Sequence, residues 1–409
     1  MHFLLITQYF HPEIGAAASR WGDYVKLLID KGHKVTVLCG MPNYPHGKFF
    51  DGYKNQWSKK EILSNNLIII RSGVWANNRS SIFKLLGNYL SFVLTGLVNS
   101  FKIKNYDIVI ISSPPLFVGI IAVVLKKIKK CIVLLDIRDL WPESVIALGS
   151  LKSNFLLKMG LWLEMKIYKN VDGYIFPVPG FSNYFKENFP GESKKPQFEL
   201  MNGVNKDFII KPYKTKKNDY FTVLYSGNMG LAQGLEVIVR CAEKLVDYPI
   251  NFKFIGEGIK KQELINLVES KKLNNIIFEN SLPRLKLIEE IKKASICIVP
   301  LINKRLFRAA IPSKIFEIMA CSKPVVLGLK GEAEKIVNNN NCGIIVEPED
   351  SEELKNAILM YYNDKNLSKI HGKNGVNYVT KYMQKEYLLS EFLFELKNKA
   401  KDLSLNINI

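Results

Sequence analysis

Short runs of aliphatic and β-branched residues alternate with longer amphipathic stretches along almost the whole chain. In the first half the runs HFLLITQYF, HKVTVLCG, NLIIIRSG, YDIVIISS, CIVLLDIRD, GYIFPVP and FELMNG predict strands, and most are separated by helical periodicity. After KDFIIKPYKTKKNDY, a polar and basic connector around residues 206 to 220, the pattern restarts with FTVLYSGNMG, NFKFIGEG, NIIFENS, SICIVPL, KPVVLGLKG and CGIIVEPED. Strands this apolar, each followed by a helix, belong to parallel sheets covered on both faces. The pattern therefore predicts two doubly wound α/β domains. Residues 351 to 403 carry only helical periodicity, and one of those helices is expected to cross back to the first domain. The expected division is 1–206 for the first domain, with 384–409 packing back on it, and 207–383 for the second.

One predicted helix has an unusual pattern. The stretch SIFKLLGNYLSFVLTGLVNSFKIK, residues 81 to 104, is uncharged from Leu85 to Phe101, and its polar residues Asn88, Ser91, Thr95 and Asn99 fall at a 3-4-4 spacing on one narrow stripe. At about 17 residues the uncharged run sits at the lower bound for a membrane span. A stripe of small polar groups suits a helix docked on its sheet with a greasy face outward; the alternative is full burial in the domain. Lys102, Lys104, Lys126, Lys127, Lys129 and Lys130 flank this helix and the next, and a lysine near anionic lipid contributes on the order of 1 kcal/mol.

Composition changes this picture only in part. The 409 residues are 47% hydrophobic and 23% charged, ordinary for a globular chain, while 57 Lys+Arg against 38 Asp+Glu give a formal charge of +19. Such an excess fits phosphate esters or acidic lipid as company, or reflects drift in a chain rich in Lys, Asn and Ile. The basic residues are spread over both domains rather than gathered in a stripe with interleaved aromatics, so nucleic acid is not an expected partner. Six scattered cysteines form no Cys-x-x-Cys pair and have no His at ligand spacing, which predicts reduced thiols and no zinc site. The opening MHFLLITQYFHPE lacks the basic region and cleavage site of a signal peptide. A cytoplasmic protein, peripheral on the inner face of the membrane, is expected.

In doubly wound sheets ligands lie beyond the carboxyl ends of the strands. Two such loops stand out. In YSGNMGLAQGLE, residues 225 to 236, Gly227, Gly230 and Gly234 surround a helix start; they serve either a phosphate facing backbone N–H groups or tight turns that need positive φ. In AAIPSKIFEIMACSKPVV, residues 309 to 326, Pro312 and Ser313 signal a helix start, and Lys314 sits in the first turn, where the dipole repels a cation. A bound diphosphate would reverse that objection. Glu317, three residues on and within an apolar run, would take a ribose hydroxyl pair or pair with Lys314.

Taken together, QYFHPEIGAAASR, GHKVTVLCGMPNYP, DIRDLWPES, YSGNMGLAQGLE, PSKIFEIMACSKPVV and CGIIVEPED resemble the retaining, nucleotide-sugar-dependent glycosyltransferases of family four, which have the GT-B fold. Within that family the chain is similar to the bacterial branch that resembles L-fucosamine (N-acetylfucosaminyl) transferases of surface-polysaccharide assembly. The resemblance covers nearly the whole chain. It implies two Rossmann-like domains facing a cleft, with the first domain binding the acceptor and the second the nucleotide sugar. It places Gly15 beside the transferred sugar and donor phosphate, and Glu317 on the donor ribose. The chain departs from the family at Ala309, where the first of two glutamates is expected, at Asn228 and Gln233, where Arg and Lys are common, and at Arg138-Asp139, where a His-Asp pair is common.

Breaking an anomeric C–O bond creates a diphosphate leaving group, so fixed positive charge on the diphosphate matters more than a protein nucleophile. Lys314 and Arg308 are the cations expected there. The implied mechanism is a front-face retaining displacement, with the donor phosphate as base for the acceptor hydroxyl. Asp139 or Glu143 would orient that hydroxyl, or Asp139 caps the next helix; Arg138 and Glu143 are assigned to the acceptor. Gly227, Asn228, Gly230 and Ser313 complete the expected donor site. No metal cofactor is expected, because no DxD motif occupies an obvious loop. The expected activity is a hexosyl-type transfer from a UDP-sugar, an N-acetylated amino or deoxyamino sugar, to a polyprenyl-diphosphate-linked saccharide in O-antigen or capsule assembly. The alternative is a GT-B nucleotide-sugar epimerase.

Overall fold

The computed structural model describes residues 1–13, 15–44, 46–78, 81–129, 131–139, 154–210, 220–399 and 403. The chain divides into two compact units, Met1–Asn202 with Lys385–Ile409, and Gly203–Gln384.

The first unit is built on an eight-stranded sheet in the order β3-β4-β2-β1-β5-β6-β7-β8. Its strands are β1 (His2–Ile6), β2 (Lys34–Gly40), β3 (Ser58–Ser64), β4 (Leu67–Ser72), β5 (Ile108–Ser113), β6 (Ile132–Ile137), β7 (Gly173–Phe176) and β8 (Gln197–Glu199). All neighbours are parallel except β3 against β4. The helix Lys385–Asn398 returns from the end of the chain to close this unit. Its Leu389, Phe392 and Leu396 enter the core formed by Phe3, Leu5, Trp21 and Val37, and Phe392 meets Phe198 edge-on at 5.8 Å. Lys385 pairs with Asp23 on the helix Ala16–Asp30, and Lys399 Nζ donates to the Gln197 carbonyl at 2.7 Å.

The second unit holds a parallel six-stranded sheet ordered β11-β10-β9-β12-β13-β14. Its strands are β9 (Phe221–Ser226), β10 (Ile250–Ile255), β11 (Ile276–Glu279), β12 (Ile296–Pro300), β13 (Val325–Gly328) and β14 (Gly343–Ile345). The strand order reverses between β9 and β12, so the loops leaving these two strands diverge and open a crevice at the carboxyl edge. The helix Lys314–Ala320 follows β12. It buries Ile315, Phe316, Ile318, Met319 and Ala320, while Lys314 and Glu317 are half-buried on the remaining face. Among the described residues the tail holds three helices, Ser351–Asn363, Lys365–Tyr382 and Lys385–Asn398.

The expected greasy helix spans Ile82–Phe101. Its polar stripe is turned inward: Asn88 and Asn99 are fully buried and Thr95 nearly so.

Candidate active site

The crevice of the second unit gathers Lys314 from the β12 connection, Tyr225 from the end of β9, and Gly227 and Asn228 from the loop that follows it. Lys314 Nζ donates to Tyr225 Oη at 3.2 Å and lies 4.4 Å from the centre of that ring. Tyr225 Oη in turn donates to the Asn228 carbonyl at 2.6 Å. Lys314 is therefore joined through one phenol to the backbone of the glycine-rich loop. Burial pushes the ammonium down to about 8, with the Glu317 carboxylate opposing the shift. Burial also raises the Tyr225 phenol, so it stays neutral and keeps its donor role.

Glycine is required at two facing positions. Gly227 has φ 133°, and a Cβ there would fall 2.7 Å from Lys314 Nζ. Gly256, φ 154°, would drive a Cβ to 1.9 Å from the Gly227 carbonyl oxygen. The tight packing explains where the loop's donors go. Gly227 N–H donates to Ile255 O (2.9 Å), Met229 N–H to Glu257 O (2.8 Å), and Gly230 N–H to Gln233 Oε1 (3.0 Å). The expectation that these N–H groups face a phosphate thus meets a physical obstacle: three of them are satisfied within the protein. Gln233 closes the loop on itself.

Ser313 directly precedes the helix Lys314–Ala320, where the sequence puts the helix start, without acting as a side-chain cap. Its torsions, φ −58° and ψ −28°, are already helical, and its side chain makes no capping bond. The turn begins one residue earlier, with Ile315 N–H donating to Pro312 O at 3.1 Å. Arg308 is exposed, in the 3₁₀ turn Arg305–Ala309 upstream of the helix.

The remaining expected residues lie in the first unit. Arg138 follows β6; its Nη2 donates to Pro114 O at 2.9 Å and its Nε lies 3.7 Å from Asp136. Asp136 is fully buried and accepts from Arg20 Nη2 (3.1 Å), Trp21 Nε1 (2.8 Å) and Ser112 Oγ (2.9 Å). Burial lowers the Arg138 pKa, opposed first by Asp136. Asp139 is half-buried beside Arg138 and helps to hold its charge. Glu143 falls outside the described residues. Gly15, φ 167° and ψ 164°, is extended, and a Cβ there would make ordinary contact with the Tyr44 ring at 3.5 Å. Nothing described in the protein itself demands glycine at this position.

Two residues that sequence reasoning passed over organise these loops. Tyr225 reads as the last apolar residue of a buried strand, yet it is the hub of the Lys314 arrangement. Glu13, 2% exposed, accepts from the N–H groups of Phe10 (3.2 Å), Asn43 (2.8 Å) and Tyr44 (2.9 Å), tying the β1 loop to the β2 loop. Its only sequence signal is a carboxylate three residues after an aromatic strand end. Among the described residues no group of three or more His, Cys, Asp and Glu is placed to hold a metal ion.

Two parallel or mostly parallel Rossmann-like units, with a charged crevice at the strand ends of the second, define the GT-B fold. Residues 206–378 match the family model described as glycosyl transferases group 1, which covers most of the second unit. Over 414 aligned residues the chain is 23% identical to the putative colanic acid biosynthesis glycosyl transferase WcaI of Escherichia coli K12, covering 97% of this chain and all of the relative. Among solved structures, sucrose-phosphate synthase from Thermosynechococcus elongatus superposes with a TM-score of 0.76 at 19% identity, over 98% of this chain and 99% of that one. Anabaena HepE in complex with UDP gives 0.66 at 14% identity, over 97% and 100%. The chain is a glycosyltransferase of the hexosyl-transferring type, similar to group 1 enzymes of family-four kind.

Proposed function

We propose that the protein transfers a sugar, with retention, from a UDP-sugar to a polyprenyl-diphosphate-linked saccharide during surface-polysaccharide assembly. The observation that carries this reading is Lys314: an ammonium held at the crevice by Tyr225, with its charge destabilised until an anion arrives. A leaving diphosphate is such an anion, and the UDP complex of HepE, a protein of the same fold, supports the choice of uridine. In this proposal Lys314 and the exposed Arg308 neutralise the leaving group, Glu317 holds the ribose, and the crevice around Gly227, Asn228, Gly230 and Ser313 seats the donor. The first unit takes the acceptor, with Asp139 and Glu143 orienting its hydroxyl, Arg138 supporting Asp139, and Gly15 leaving room for the transferred sugar. The similarity to WcaI, whose name places it in colanic acid biosynthesis, supports a polysaccharide as the end product, and the inner face of the membrane is the proposed workplace. The donated sugar is proposed to be an N-acetylated amino or deoxyamino sugar, as in O-antigen or capsule repeats.

The test is a panel of UDP- and GDP-sugars offered to the purified protein with EDTA present, scored first for binding and then for transfer to polyprenyl-linked saccharides. UDP-sugars should bind without metal, and one should be consumed only when acceptor is added. Preference for GDP-sugars, binding that needs a divalent ion, or an isomerised nucleotide sugar released without acceptor would overturn the reading.

A further inference from the structure

We propose that three neighbouring helices of the first unit form one docking face for an anionic lipid bilayer; the inference deepens the lipid-linked acceptor reading and rests on it. The helix Ile82–Phe101 uses its polar groups inward. Asn88 Nδ2 donates to Trp75 O (3.0 Å), Thr95 Oγ1 to Gly73 O (2.7 Å), and Asn99 Nδ2 to Ser72 Oγ (2.9 Å). With these spent on the strand ends, the outward arc holds Phe83, Leu90, Leu94, Val98 and Phe101, of which Phe83 is 80% and Leu94 65% exposed. At 3.6 residues per turn these five fall within an arc of about 80°. Trp75, also exposed, lies across Gly87 on the same side, so closely that a Cβ there would meet its ring at 2.2 Å.

The apolar face continues onto two more helices. The helix Gly119–Lys129 packs against the first, and the helix Asn154–Lys169 packs against the second through Ile167 on Gly119. They add exposed Ile128, Met159 and Trp162. Among the described residues of these three helices, the exposed charges have one sign. Lys127, Lys158, Lys166 and Lys169 are exposed, as is Lys102 just past the first helix. The single carboxylate in the three helices, Glu164, is 2% exposed and accepts from Tyr168 Oη at 2.7 Å.

That charge pattern selects the occupant. A second copy docked through the same face would set lysine against lysine, whereas an anionic bilayer satisfies the apolar arc and the lysines together. No described helix is long and apolar enough to cross a membrane. The 20-residue helix Ile82–Phe101 instead presents a stripe of about 30 Å that lies in the interface plane, with Trp75 and Trp162 at headgroup depth.

The experiment is co-sedimentation of the full chain with vesicles of phosphatidylglycerol in phosphatidylcholine, and of phosphatidylcholine alone. The protein should partition at least about tenfold more strongly onto the anionic vesicles. L94E/V98E should lower that partition by about tenfold or more, because two exposed insertions become charged. K127E/K158E should lower it and flatten its salt dependence. All these positions are exposed, so both variants should bind UDP as the parent does. Equal partition of parent and variants would overturn the proposal, as would a vesicle-free dimer that L94E/V98E dissolves. Intact UDP binding beside absent vesicle binding would remove this face and leave the donor reading standing; failed UDP binding would do the reverse.

Discussion

The depressed pKa of Lys314 makes a prediction with opposite signs for stability and for binding. Moving a lysine from its ordinary 10.5 to about 8 costs the folded state on the order of 3 kcal/mol at neutral pH. Attraction to the Tyr225 ring returns roughly 1–2 kcal/mol of that. Lys314→Met keeps the stem and removes the charge, so at pH 7 the variant should be more stable by about 1–2 kcal/mol, read as a raised Tm. Because the folded pKa is lowered, the penalty is complete below pH 8 and is relieved as pH climbs from about 8 to 10.5, so the advantage of the variant should vanish at alkaline pH. Binding runs the other way. If a diphosphate restores the lysine pKa above about 10, wild-type affinity for UDP should fall about tenfold between pH 7 and pH 9, with uptake of about half a proton at pH 8. Calorimetry in buffers of different ionisation enthalpy measures that proton directly. In Lys314→Met the slope attributable to lysine should disappear and kcat should drop about 10²-fold or more. A variant that is less stable at pH 7, yet transfers sugar normally per folded molecule, would show Lys314 to be a structural partner of Glu317 and refute the reasoning.

Three further outcomes test neighbouring parts of the site. Glu317→Gln should raise the donor KM about tenfold while leaving kcat nearly unchanged, since a ribose contact is equal in ground and transition states; 2′,3′-dideoxy-UDP should bind both proteins alike. Gly227→Ala should destabilise by about 1–3 kcal/mol and weaken UDP binding, measured by denaturant midpoint and calorimetry, because the new Cβ meets both an unfavourable φ and the Lys314 ammonium. Glu13→Ala should cost about 2–4 kcal/mol, read by denaturant midpoint, by leaving the N–H groups of Phe10, Asn43 and Tyr44 without their acceptor.

What the sequence discloses follows from how strongly each element is buried on two faces. Parallel strands such as β1, β5 and β12 are nearly continuous apolar runs and are plain in the pattern. The strand missed is β3, SKKEILS, an antiparallel edge paired only to β4 and exposed along most of its length. It has no core face to impose a period, and its lysines guard an open edge. Lys314 and Glu317 stand out as candidates in the sequence because a cation in a first helical turn and a carboxylate among apolar neighbours are each electrostatically odd. Tyr225 does not, since a tyrosine ending a core strand has no odd feature until its partner arrives from 89 residues away. Pro312 and Ser313 mark the start of the helix Lys314–Ala320 as the sequence suggests, but the serine side chain makes no capping bond, because its backbone is already helical and local composition does not fix that torsion.

The loop after β9 shows why a glycine pattern alone underdetermines a site. Gly227 and Gly256 are explained by two backbones passing within van der Waals contact, with no ligand in the account. What turns the same crevice into an anion site is the lysine that Gly227 leaves room for. The loop spends the N–H groups of Gly227, Met229 and Gly230 on the loop after β10 and on Gln233, so the positive potential proposed for the crevice rests on side-chain cations, Lys314 and Arg308, more than on these backbone dipoles. The titratable charge of Lys314 makes the site responsive to pH near 8 in a way that fixed backbone dipoles are not. With neutral Asn228 and Gln233 in the loop, Lys314 shares the proposed diphosphate with Arg308, so its substitution should be less buffered here than in a site where more cations share that charge.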